Sequence, residues 1–277
     1  MVNKSTREFI NYWDEYRKSL LCDTIIEDSM SAAEILKHRL ELEADPVKWM
    51  YHFFRKYAKA EFAPFHKKAI RRMIQNKEWY EVLSWSRELG KTTVVMMVVL
   101  YLVLTGKKKN VIFCSSSYDN AERLLEPYRA NLDSNSLIRA YYGNQVEYGH
   151  WEMGEFKTKS GAAFRALGAG QSPRGTKNED VRPDLIVVDD YDTDEDCRNP
   201  DVIDYRWKWF EQALYPTRSI SEPALIIWCG NIIAKDCGTV RAGKLSDNWD
   251  IVNIRDKSGK SSWPQKNSEE QIDRLLS

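Results

Sequence analysis

Eight consecutive residues, Ser86, Arg87, Glu88, Leu89, Gly90, Lys91, Thr92 and Thr93, have the types and order that hold a phosphate group. Gly90 lets the main chain approach a phosphate closely. The free N–H groups of a helix that opens after it would cradle the oxygens. Lys91 would reach the β- and γ-phosphates of a nucleotide, and Thr92 would offer its hydroxyl to a magnesium ion. The standard loop reads G-x-x-x-x-G-K-[ST], and Trp85 stands at its first glycine, so the strict pattern fails. A Gly-Lys-Thr triplet alone is a weak signal. The competing reading is an ordinary glycine turn with Lys91 in solvent. Placement between a strand predicted at 80–85 and a helix predicted at 91–104 favours the phosphate loop.

The second constellation is Asp189 and Asp190 at the end of the apolar run Leu185, Ile186, Val187, Val188. Paired acids at the end of a buried strand repel each other and resist desolvation, so they need a reason to be there. A Walker B role supplies one: Asp189 would hold magnesium through water, and Asp190 would polarise the water that attacks the γ-phosphate. The alternative is a strand that runs into an acidic loop, and Asp192, Asp194, Glu195 and Asp196 show that such a loop follows. Those later acids read as solvated surface.

The elements that must position these groups are legible as alternating patterns. Short apolar runs at 80–85, 111–114, 185–188 and 224–229 read as buried strands. Helical stretches at 91–104, 119–132 and 201–214 lie between them. This alternation predicts an α/β fold with a mainly parallel central sheet covered on both faces. Residues 141–168 alternate aromatic, glycine and lysine positions, as expected of antiparallel hairpin strands on the sheet edge. Residues 1 to about 77 read as helical. Ser31 and Glu34 have the spacing of a capping box, followed by a rough apolar stripe of Ile35, Leu36, Leu40 and Leu42. A second helix follows Pro64, with Phe65, Ala69, Ile70 and Met73 on one face. Residues 257–267 read as a linker, and a short helix starts at Ser268.

Composition excludes several classes. The chain has 277 residues, 43% hydrophobic and 12% aromatic, too apolar for a disordered protein. The apolar run 94–104 is too short to span a bilayer, and the amino terminus has no signal-peptide core. Equal numbers of acidic and basic residues, 41 each, argue against a generally basic nucleic-acid coat but leave room for local patches. The five cysteines, Cys22, Cys114, Cys197, Cys229 and Cys237, form no C-x-x-C pair and read as free thiols. The four histidines are scattered without metal-ligand spacing.

With these residues in view, the chain resembles the large terminase subunits, the DNA-packaging motors of tailed phages. The segment 86–93 is similar to that family's deviant Walker A, in which Arg87 matches an early loop arginine. A Gly- and Arg-bearing stretch, 168–175, precedes the Walker B strand as it does in the family. Trp228, Cys229, Gly230 and Asn231 resemble its coupling motif, where a polar residue, here Asn231, senses the γ-phosphate. Ser262, Trp263 and Pro264 resemble the segment that joins the ATPase to a nuclease domain. The resemblance spans roughly residues 50–277. One departure stands out: the residue after the Walker B aspartate is usually glutamate, and here it is Asp190, with Glu195 as a fallback.

The resemblance implies a P-loop NTPase of the additional-strand, helicase-like type. It implies a helical extension over 1–60, an ATPase domain over 61–256 and a linker over 257–277 towards a nuclease domain absent from this chain. It implies ATP and Mg2+ as cofactors and no nuclease activity here. Arg87, Lys91 and Asp190 would be catalytic, 86–93 would bind nucleotide, and Thr92 and Asp189 would hold the metal. Arg165 and Arg174, near Lys177, are candidates to act in a neighbouring subunit's site. Phe65 and His66 are candidates for an adenine contact, with core packing as the competing account. The implied partners are double-stranded DNA, a portal protein and a small terminase subunit. The chain would form a homo-oligomeric ring when assembled and a monomer in isolation, working in the host cytoplasm without a membrane. The alternatives are a superfamily 2-type helicase or other DNA-dependent ATPase, and a nucleotide-binding assembly module without turnover.

Overall fold

The computed structural model describes residues 4–22, 30–175, 178 and 181–276. Lys177 and the side chain of Cys22 lie outside what is described. Among the described residues a single eight-stranded sheet organises the chain. Its order is β3 (Val146–Trp151), β4 (Glu155–Thr158), β5 (Ala163–Gly168), β2 (Asn110–Ser115), β6 (Leu185–Asp189), β7 (Leu225–Cys229), β1 (Trp79–Trp85), β8 (Asn248–Val252). From β5 to β8 every neighbouring pair is parallel, and β3 and β4 add an antiparallel edge.

Strands β2, β6 and β7 are buried at every position, which is why they read as unbroken apolar runs. One face is covered by α5 (Lys91–Leu104), buried continuously from Val94 to Val103. A helix apolar on all sides needs cover on both of its own sides. The sheet supplies one. Trp49, Met50 and Phe53 of α3 (Pro46–Phe53), with Ala69, Ile70 and Met73 of α4 (Pro64–Gln75), lie in the same core and supply the other. The opposite face of the sheet packs Trp207 of α8 (Pro200–Trp209) and Phe210 against Trp228 and Tyr191. No helix among the described residues is long and apolar enough to cross a membrane.

All four predicted strands form, and α5 has the expected bounds. The helix expected over 201–214 stops at Trp209 and continues as a π-helical turn, Phe210–Leu214. Of the expected hairpin region, the start belongs to a helix, α7 (Ser136–Tyr142). The capping box forms at the head of α2 (Ala32–Glu43): the Ser31 N–H and Oγ donate to Glu34 Oε2 at 2.8 and 2.7 Å. The apolar stripe behind it does not. Leu36 and Leu40, one turn apart, share the outer face and are 48% and 55% exposed, while Leu42, half a turn round from Leu40, is buried. The described cysteines, Cys114, Cys197, Cys229 and Cys237, are free thiols.

Candidate nucleotide site

Three parallel strands deliver the site to one edge of the sheet. β1 ends at Trp85, β6 at Asp189 and β7 at Cys229, and the register sets Cys229 beside both Asp189 and Leu83. The carboxyl ends of parallel strands open a crevice where the following loops diverge. The loop after β1 carries 86–90 into the first turn of α5. Gly90 sits at φ 71, the left-handed region that glycine enters without penalty. Glu88 takes φ 68 with a side chain. The Ser86 N–H donates to the Val252 carbonyl at 2.8 Å and the Leu89 N–H to the Ser86 carbonyl at 3.3 Å, so both ends of the loop are tied.

Ser86, Arg87, Glu88, Gly90, Lys91, Thr92 and Thr93 line a cleft of about 440 Å³ together with Trp85, Asp189, Asp190, Asn231 and Lys266. Leu89 is fully buried beneath it. Thr92 Oγ1 donates to Asp189 Oδ2 at 2.9 Å, and the Asp190 N–H donates to Asp189 Oδ1 at 3.1 Å. Lys91 Nζ donates to Asn231 Oδ1 at 3.4 Å. Burial, reinforced by the neighbouring Asp190, pushes the Asp189 carboxyl up to about 7, against the pull of Lys91 and Thr92. The adjoining Thr92 hydroxyl and Asp189 carboxylate are hard oxygen donors, the set that suits Mg2+, and a dication there would favour the ionised carboxylate.

Asp190 is exposed, with φ 47. Its carbonyl accepts from the Ser116 N–H at 3.2 Å and Ser115 Oγ at 3.3 Å, while its carboxylate takes no hydrogen bond among the described residues. Arg87 is exposed on the cleft and likewise makes no ion pair among the described residues. Among the described residues, these are the two charged groups of the cleft left without a partner.

Several sequence-predicted residues are placed elsewhere. His66 is fully buried, its Nδ1 accepting from the Ala63 N–H at 3.0 Å. That leaves Nε2 to donate to the Leu89 carbonyl at 2.8 Å, and burial lowers the ring to about 4. Both nitrogens are spent on holding the loop, and His66 does not line the cleft. Phe65 is half-buried against His66 and Trp85 and does not line the cleft. Arg165 is paired with Glu155, and Arg174 lines a surface hollow with Arg182, Pro183 and Pro216 at the end of the sheet where β6 begins. Neither lines this cleft. Glu195 is exposed and also absent from it. Asp192 is not solvated surface: it accepts from the Gly238 and Thr239 N–H groups at 2.7 and 2.8 Å and caps α9 (Gly238–Leu245). Asp196 pairs with Arg206 at 2.8 Å.

Two cleft-side residues were not read as part of the site: Trp263, assigned in the sequence to a joining segment, and Lys266. Trp263 is buried against Gly90: a Cβ added there would meet its ring at 3.3 Å. Its indole N–H donates to the Glu61 carbonyl at 2.7 Å. Lys266 lines the cleft itself. The available signal was the tryptophan of Ser262-Trp263-Pro264, an apolar anchor in an otherwise polar stretch.

Strand order and site together define the class. This is a P-loop NTPase fold of the additional-strand type, with β7 lying between β1, which carries the loop, and β6, which carries the acid pair. No known protein family and no curated protein matches the sequence. Among solved structures, the HK97 bacteriophage large terminase is similar over 78% of this chain and 48% of its own, at 14% identity and TM-score 0.49. The chain thus spans about half of that protein's length. The Thermus phage P74-26 large terminase ATPase domain is similar over 64% of this chain and 68% of its own, at 14% identity and TM-score 0.41. A DEAD box protein from the hyperthermophile Methanococcus jannaschii is similar over 78% and 55%, at 12% identity and TM-score 0.44.

Proposed function

We propose that this chain is the ATPase domain of a phage large terminase, a Mg2+-dependent motor that drives double-stranded DNA into a procapsid. The observation that carries the reading is the convergence of Arg87, Lys91, Thr92, Asp189, Asp190 and Asn231 in one cleft, drawn from three strand ends. The main-chain amides at the start of α5 and the Lys91 ammonium bind the phosphates. Asp190 orients the attacking water, and Arg87 meets the charge that develops at the γ-phosphate. Asn231, already bonded to Lys91, registers whether a γ-phosphate is present. A Mg2+ ion held by Thr92 and Asp189 would supply charge neutralisation at the phosphate oxygens.

On this reading residues 61–256 are the ATPase domain, 1–60 its extension and 257–277 the joining segment. The active form is a ring on a portal, loaded by a small terminase subunit in the host cytoplasm, and the isolated chain is a weakly active monomer. Phosphate release from MgATP, measured with and without duplex DNA beside a strand-separation assay, tests it. Duplex-stimulated hydrolysis without strand separation, abolished by Lys91→Ala, is expected. Strand separation would make the chain a helicase. ATP binding without turnover would make it an assembly module.

A further inference from the structure

The strand β8 is followed by a segment that returns across the phosphate loop. Arg255 pairs with Glu269 and Asp273, and the Ser261 N–H donates to Glu269 Oε1 at 2.7 Å, closing the segment on itself. Trp263 anchors it, 6% exposed, bonded to Glu61, with its ring 4.5 Å from that of His66. Three residues on, Lys266 Nζ donates to the Glu88 carbonyl at 2.8 Å and to Glu88 Oε2 at 3.0 Å, and it lies 5.3 Å from the Trp263 ring.

Building on the ATPase reading, we infer that Lys266 is a second phosphate-binding lysine, brought to the cleft by this segment and held in reserve by Glu88. Its main chain is fixed by the buried tryptophan, so the cation is positioned before any ligand arrives and little ordering is left for binding. Its present partner is weak. The side chains of Lys266 and Glu88 are 37% and 60% exposed, and an ion pair so open to water contributes little. A nucleotide polyphosphate carries more charge than one carboxylate and takes the lysine from it. Arg87, Lys91 and Lys266 face Glu88, Asp189 and Asp190, so Lys266 is one of three cationic side chains set against the acids of the cleft.

Titration calorimetry of ATP, ADP and AMP with Mg2+ tests the assignment. Lys266→Ala should weaken ATP and ADP by about tenfold, the worth of one charge-assisted contact, and AMP by much less. Lys266→Arg should retain most of the affinity. The deciding comparison is between ATP and AMP. A lysine on the outer phosphates is felt by ATP and scarcely by AMP, whereas one that only braces the loop through the Glu88 carbonyl, a bond no side-chain change at Glu88 removes, weakens all three nucleotides alike. An equal loss for ATP, ADP and AMP overturns the assignment. Unchanged ATP affinity in Lys266→Ala overturns it as well. Failure of the unsubstituted protein to bind any of the three nucleotides would overturn the ATPase reading, a separate result, and the inference with it.

Discussion

His66 makes the phosphate loop sensitive to acid in a way that can be measured. Its ring bridges the Ala63 N–H and the Leu89 carbonyl, and the acceptor nitrogen, Nδ1, has nowhere to place a proton. Burial holds native His66 neutral down to about 4, against the pull of the Leu89 carbonyl, whereas the unfolded chain takes up the proton near 6.5. The stability tied to this difference is present above 6.5 and is lost as pH falls from there towards 4. At pH 5 the unfolded residue is almost wholly charged and the native one almost wholly neutral, which is about 1.5 pH units of linkage, or ~2 kcal/mol. The perturbation is His66→Gln, which keeps one acceptor and one donor and does not titrate. Urea unfolding at pH 7.5 and pH 5 should show the unsubstituted protein losing ~2 kcal/mol more than the variant across that interval. Any packing cost of the substitution appears at both pH values and cancels. His52, which burial also lowers to about 4, is present in both proteins and cancels too. Equal pH slopes would refute a buried, neutral ring at this position.

Other outcomes follow from the same geometry. Asp190→Asn should bind ATP with near-normal affinity yet release phosphate at least ~100-fold more slowly, read by single-turnover assay; normal turnover would move the water-polarising role to another residue. Arg174 has no ion-pair partner among the described residues, so it is the stronger of the two candidates to complete a neighbour's site. Arg174→Ala mixed with Lys91→Ala should regain ATPase activity that each lacks alone, and no rescue on mixing would mean a self-sufficient site. Gly243→Ala would place a Cβ 2.3 Å from the Trp249 ring, inside contact distance, and should cost roughly 1–3 kcal/mol in thermal unfolding.

What the sequence revealed depended on how local the signal was. Strands β2, β6 and β7 carry apolar runs of aliphatic residues with Phe113, Trp228 and cysteine because both faces of the sheet are covered, and that pattern needs no distant partner to be read. The loop and the acid pair were legible for the same reason: each sits at the end of such a run. The strand β8 was not, because its residues are half-buried or exposed at the sheet edge and carry no apolar run. The helix α9 has two glycines and takes its cap from Asp192, 46 residues upstream. His66 became a loop brace only through Leu89, 23 residues on, and Lys266 entered the cleft through Glu88, 178 residues back. Long-range pairing of this kind leaves no trace in residue type or spacing.

The left-handed backbone at Asp190 favours a short acid at the position where the resemblance to large terminases implies glutamate. Short polar side chains such as aspartate and asparagine enter that region more readily than longer ones. Here Ser115 and Ser116 pin the Asp190 carbonyl, so the main chain is not free to relax around a replacement. A glutamate would gain reach at the expense of the turn. The turn therefore favours the shorter side chain, although Glu88 enters the same region, and the water that Asp190 would polarise on the proposed reading would sit one bond length nearer the sheet than a glutamate would set it.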